Sequence, residues 1–161
     1  MQRTIGFAVI AALGIASAAD AQVLTRRDVS LAMAEKAAKA SLAECSAKGF
    51  STSVVVVDRS GQTILMMRGD GGTAQQPEMA RRKAYTARMF RRTTEDWAKR
   101  TLDDPVTYPQ RDLEDVIALS GGVPINIGDD TIGGIGSAGS TQVQDDLCAK
   151  AGLAAIADQL R

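Results

Sequence analysis

The densest group of side chains able to bind a ligand or move a proton is Arg81-Arg82-Lys83 with Tyr85, in the run PEMARRKAYTARMFRR. On a helix, positions 81 and 85, or 82 and 85, share a face, so a cation and a phenol would meet one carboxylate or propionate together. The same spacing also describes a solvated basic face with Tyr85 packed at its edge. The chain contains no histidine, which removes the commonest general base, the usual zinc ligand and the usual proximal haem ligand at once. A Ser-His-Asp or Cys-His hydrolase as normally built is excluded. A haem iron here would take Tyr, Met, Lys, Cys, an oxygen donor such as Thr, or no axial ligand. Met66 and Met67 on a strand and Met79 and Met89 on a helix are the soft candidates, and each reads equally as core filler. Asp103-Asp104 reads as a turn. Asp145-Asp146 opens a helix, where acidic residues stabilise the dipole by about 0.3–1 kcal/mol; acid–base work by that pair stays open.

A second constellation lies in Ser120–Ser140, SGGVPINIGDDTIGGIGSAGS. Gly128-Asp129-Asp130 makes a tight turn, and Gly134-Ile135-Gly136-Ser137-Ala138-Gly139 spells G-x-G-x-x-G before a helix, the outline of a dinucleotide fingerprint. That fingerprint belongs to a strand–helix–strand unit of about 30 residues with an acidic residue about 20 positions on. Here the following helix runs to the last residue, Arg161, and leaves no length for a parallel return strand. The glycines read instead as letting a helix backbone lie close to a sheet. Gly134, Gly136 and Gly139 stay candidate ligand contacts, because a helix N-terminus holds anions. The expected pocket lies between the Arg81–Tyr85 helix and this glycine bend, across a subunit interface if the chain assembles.

Several elements must position these groups. Met1–Ala21 reads as a secretory signal peptide: Arg3 in the n-region, Ile5–Ala18 apolar, and Ala19-Asp20-Ala21 as the cleavage site. A buried N-terminal helix is the alternative. Its apolar run is shorter than the roughly 20 residues of a membrane span. Removing it leaves 18 basic and 18 acidic residues, a balance with no electrostatic footprint for nucleic acid or anionic lipid. Residues 22–161 form one domain. Leu24–Lys48 reads as a helix capped by Thr25 with Asp28, ending at Gly49. Ser51–Asp58 and Gln62–Arg68 form a strand hairpin. Pro77–Arg92 is a helix, and Thr93 or Thr94 caps a shorter one containing Trp97. Val116–Leu119, Pro124–Ile127 and Asp130–Ser137 are strand candidates, and Thr141 with Gln144 opens a last helix to about Leu160. Short turns between strands imply an antiparallel sheet with flanking helices, an α+β layered domain.

Cys45 and Cys148 are the only cysteines, one near the end of the first helix and one near the start of the last. If those helices pack antiparallel, the thiols meet, and in an oxidising compartment a disulfide is expected. Free thiols binding a metal or haem iron are the alternative.

The motifs VVVVDRSG with its following strand, ARRKAYTARMFRRTT, SGGVPI, and IGGIGSAGS with QDDLCAKAG stand in that order over Leu24–Leu160. Together they resemble the GlcG/HbpS family, also described as haem-degrading-domain or PduO C-terminal-like proteins. The resemblance implies a profilin-like α+β sandwich that assembles into dimers or larger oligomers. Within that family some members bind haem, a corrinoid-related ligand or an iron ligand; others sit beside metabolic operons. The expectation is therefore an exported (periplasmic or secreted), oligomeric small-ligand-binding protein, with haem or a related tetrapyrrole the first ligand to test. Two alternatives stand beside it: an enzyme acting on a small metabolite, with Tyr85, Lys83 or the aspartates in acid–base roles, and an assembly module without catalysis.

Overall fold

The computed structural model describes residues 23–161; the expected signal peptide lies outside them. Helix α1, Leu31–Ala47, is capped by Ser30, whose hydroxyl accepts from Met33 N at 3.2 Å. The helix expected from Leu24 therefore starts seven residues late. The cause is competition for the preceding backbone: Asp28 accepts from Val29 N and from Arg59 N, at 2.8 and 2.9 Å, while Arg59 Nε donates to Arg27 O. These bonds hold the segment outside the helix. Gly49, with φ +80, closes the far end as expected.

Strands β1, Ser53–Val57, and β2, Thr63–Arg68, form the expected hairpin. Helix α2, Gln76–Phe90, has Pro77 in its first turn and stops at Arg91 in the left-handed conformation. Helix α3, Thr94–Leu102, takes Thr93 as its cap, through Asp96 N at 3.1 Å. A 3-10 turn, Tyr108–Asp112, follows. The strand expected at Val116–Leu119 does not form, because Ile117 N donates to the Thr86 hydroxyl of α2 instead of to a strand. Strands β3, Gly122–Ile127, and β4, Asp130–Ala138, make the second hairpin. Helix α4, Gln142–Ala155, is capped by Thr141.

The sheet runs β2-β1-β4-β3, antiparallel throughout. Alternation along β1 assigns its faces. Val54 and Val56 pack with Ala34, Ala37, Ala38 and Ala149 of α1 and α4, while Val55 and Val57 pack with Ala80 and Ala84 of α2. The result is three layers, a helix pair, a sheet and a single long helix.

On the helix-pair side, Lys36 meets Asp158 and Cys45 is bonded to Cys148, so α1 and α4 run antiparallel. That disulfide has a Cα–Cα separation of 5.6 Å, spans 103 residues and is wholly buried. On the other side the contact is backbone on backbone. A Cβ added at Gly136 would stand 2.1 Å from Ala80 O, and one at Gly134 would stand 2.4 Å from Ala84 O. Only glycine lets α2 approach β4 this closely.

One ion pair stitches the layers. Lys83 of α2 is 1 % exposed, yet its ammonium donates to Asp145 Oδ2 at 2.7 Å and to Ser137 O at 2.9 Å. Burial pushes the ammonium below its usual value and Asp145 opposes that shift. Asp145 also accepts from Ser140 N and the Ser140 hydroxyl, at 3.0 and 2.7 Å. Gly121, at φ +115, makes room beside both charges, since a Cβ there would lie 2.8 Å from Asp145 Cβ and 3.0 Å from Lys83 Nζ.

Two stability measurements check these links. Replacing both cysteines by serine is expected to cost about 2–5 kcal/mol, read from the urea midpoint; an unchanged midpoint would contradict it. Lys83→Met alone leaves a buried charge on Asp145 and is expected to cost about 3–5 kcal/mol. Adding Asp145→Asn, which keeps the acceptor for Ser140, should recover a large part of that loss. A double variant no better than the single one would refute the pairing.

Candidate functional site

The residues singled out by sequence divide between two places. Lys83 belongs to the interlayer pair just described and is closed to solvent, so it is not available as an acid, a base or an iron ligand. Gly134 and Gly136 lie inside β4 rather than in a bend, and α2 fills the space where a pocket was expected. Gly139, at φ +135, abuts the Gln76 side chain. The N-terminus of α4 is also occupied from within, by the Asp145 carboxylate that accepts from Ser140 N. The expected pocket between helix and glycine bend is thus replaced by packing: an α2 backbone this close leaves no cavity.

The other place is a groove of about 210 Å³ between the C-terminal half of α2 and the segment 113–116. Tyr85, Met89 and Phe90 form one wall, and Leu113, Glu114 and Val116 the other. The floor is firm. Phe90 stacks on buried Trp97 of α3, with centroids 4.7 Å apart and planes at 26°. The Tyr85 ring packs against Gly61 in the β1–β2 turn, which also approaches the Met89 sulfur.

Arg81 and Arg82 hold the second wall in place. Arg81 is bonded through two nitrogens to Glu78, at 2.7 and 2.8 Å, and reaches Asp115 at 2.6 Å. Glu78 and Asp115 hold its guanidinium above its ordinary value, and in return Arg81 lowers Glu78. Arg82 donates to Val116 O, and Thr86 accepts from Ile117 N at 2.9 Å. Asp115 itself stands at φ 67, a conformation non-glycine residues seldom adopt. Three successive α2 contacts therefore clamp a strained segment against the groove. Arg81 and Arg82 are thus turned toward the protein while Tyr85 faces the groove, so the cation and the phenol expected to share one ligand point to different partners.

The groove's chemistry follows from its lining. It is apolar apart from the Tyr85 phenol, the Met89 thioether and the Glu114 carboxylate. Met89 is 46 % exposed and Leu113 54 %, so the mouth is open and greasy. Arg82 Nε is buried beside it with no hydrogen-bond partner.

Testing the chain's donors against a haem iron narrows the choice. Both thiols are tied in the disulfide, Lys83 is sealed, and Met67 and Met79 pack against the two core clusters. Met66 and Met89 are the exposed thioethers among the described residues, and of these Met89 shares a groove with a phenol. Thioether and phenolate are both known axial donors. The residues present fit the group. Among the described residues no cluster of three or more His, Cys, Asp or Glu is placed to hold a metal ion by itself, and no helix is long and apolar enough to cross a membrane.

Of the groove's lining, sequence reasoning singled out Tyr85 and Met89, whereas Arg81 and Arg82 stand behind the wall. It missed Leu113, Glu114 and Val116, because a wall built from irregular chain carries no periodicity.

Comparison with known proteins places this geometry in a family. Residues 29–154 match the family model described as haem degrading protein HbpS-like. An uncharacterized 15.0 kDa protein from the dhaT-dhaS intergenic region of Citrobacter freundii is 31% identical over 129 residues, covering 78% of this chain and 89% of that one. The crystal structure of HbpS superposes with a TM-score of 0.79 at 34% identity, covering 86% of this chain and 96% of the other. A PduOC:heme complex shares the fold, with a TM-score of 0.73 at 23% identity over 80% of this chain and 94% of that chain. With its α+β sandwich and its match over most of the domain, the chain belongs to the HbpS-like haem-degrading protein family.

Proposed function

We propose that this chain is an exported, oligomeric small-ligand-binding protein whose ligand is haem or a related tetrapyrrole, taken up at the groove between α2 and segment 113–116. One observation carries the placement: in a chain without histidine, Met89 and Tyr85 present a thioether and a phenol at the mouth of an apolar groove floored by stacked Phe90. Family membership supports the choice of ligand.

A groove of about 210 Å³ is smaller than the usual range for enclosed small-molecule sites, roughly 300–1,000 Å³. It would take an edge of a planar ligand, leaving the rest over exposed Met89 and Leu113. A second copy covering that mouth would complete the site, and the exposed Met89 and Leu113 are the feature that favours such assembly. No arginine lines the groove: Arg82 is tied to Val116 O, so a propionate would point out of the open mouth toward solvent. Export is supported by the signal-like N-terminal sequence and by the buried disulfide, a bond that persists in oxidising compartments. Haem, when bound, supplies the iron; the chain would supply an axial donor and an apolar wall.

Hemin titration of the oxidised protein, followed at the Soret band with particle mass recorded alongside, tests the proposal. Wild type should show a saturable band, and Met89→Leu, which keeps the apolar volume, should shift its position and weaken binding about tenfold. Tyr85→Phe separates the two donors: a shift there but not in Met89→Leu would assign the iron to the phenol. Saturable binding that neither substitution alters would remove the ligand from this groove, and no saturable band would remove haem.

A further inference from the structure

A second, roomier opening lies at the other end of β1. An open cleft of about 580 Å³ separates the last turn of α1 from the start of β1 and the end of β2. Leu42 and Phe50 give it an apolar side; Ser46, Ser51, Thr52 and Asp70 give it a polar one. We infer that this cleft is a second binding site, for a small hydrogen-bond-donating molecule that is uncharged or cationic, a polyol or a primary amine.

Three observations fix that chemistry. Firstly, no lysine or arginine lines the cleft, and the Asp70 carboxylate makes no ion pair among the described residues. Secondly, the C-terminal turn of α1 forms one wall, and a helix C-terminus carries partial negative charge. Both features favour a ligand that donates and oppose a carboxylate or phosphate. Thirdly, the wall holds polar atoms without partners. The Thr52 hydroxyl is buried, 1 % exposed at the residue level, and bonds to nothing. Behind it, Gln76 donates to Ser51 O at 3.2 Å while its own Oε1 is also buried and unpartnered. Buried polar atoms are normally satisfied, so the Thr52 orphan, the one that belongs to a lining residue, marks the part of the wall where a ligand's donor would go.

The backbone around the opening is fixed, as a ligand site requires. Gly69 N donates to Thr52 O at 2.9 Å, Ser51 Oγ donates to Asp70 O, and Phe50 N donates at 3.0 Å to the carbonyl of Cys45, which the disulfide anchors. The volume falls within the usual range for small-molecule sites. The cleft shares no lining residue with the α2 groove, and its acidic character is unsuited to haem propionates. This inference stands apart from the proposed tetrapyrrole site.

Backbone-amide NMR titration of the oxidised protein, without haem, provides the test, with sorbitol, ethanolamine and inorganic phosphate as separate probes. Sorbitol or ethanolamine should shift Ser46, Phe50, Ser51, Gly69 and Asp70 saturably. Ala43→Trp, an exposed substitution that fills the cleft, should abolish the effect while leaving the denaturation midpoint in place. Asp70→Asn should weaken ethanolamine about tenfold and sorbitol much less, which separates a cationic from a neutral ligand. Shifts that persist in Ala43→Trp, saturation by phosphate at these residues, or no saturable shift with either donor probe would overturn the inference.

Discussion

Everything in this molecule depends on how closely α2 lies on β4. Ala80 O and Ala84 O occupy the space where Gly136 and Gly134 would otherwise carry side chains. Backbone-on-backbone packing of this kind fixes a helix in both translation and rotation, because carbonyls and Cα atoms have no rotamers with which to adapt. With α2 so fixed, its faces are assigned. Ala80, Ala84 and Ala87 go inward, Lys83 reaches the buried end of α4, and Arg81, Arg82, Tyr85 and Met89 turn toward the segment beyond α3.

The three consecutive basic residues of α2 thus do three different jobs. Arg81 restrains Asp115, Arg82 grips Val116, and Lys83 joins α2 to Ser137 and Asp145. The buried pair has a hydrogen-bonded partner on each side, the arrangement that makes a buried charge tolerable. The two arginines build the groove wall by clamping a segment that has no strand or helix bonds of its own. Positive charge at this site therefore serves the architecture, and no arginine lines the groove itself.

Much of the fold was legible in sequence because it rests on local signals. The four-valine strand, Asp58-Arg59-Ser60-Gly61 turn, Pro77, Thr93 and Thr141 each act within a few residues, and the structure places each element where those signals put it. The disulfide was legible too, since it needed only the antiparallel pairing of the first and last helices. Failures occurred where distant residues decide. Asp28 and Arg27 are drawn away from α1 by Arg59, 31 and 32 residues on. Thr86 takes the backbone of Ile117 away from the sheet. The glycine motif was read as letting a helix backbone lie close to the sheet, and it does; what sequence left open was that α2, rather than the helix that follows the motif, makes the approach. Likewise the groove is half regular helix and half irregular chain, and only the helical half left a pattern.

The central claim, that the glycines of β4 exist to seat α2, is tested most directly by urea denaturation of Gly136→Ala. The added methyl would have to displace the Ala80 carbonyl, and overpacking of that kind costs about 1–3 kcal/mol or more. The account predicts a loss of at least that size in the protein without any ligand. A Gly136→Ala protein whose stability stays within about 0.5 kcal/mol of wild type, the range of an unconstrained surface position, would contradict it.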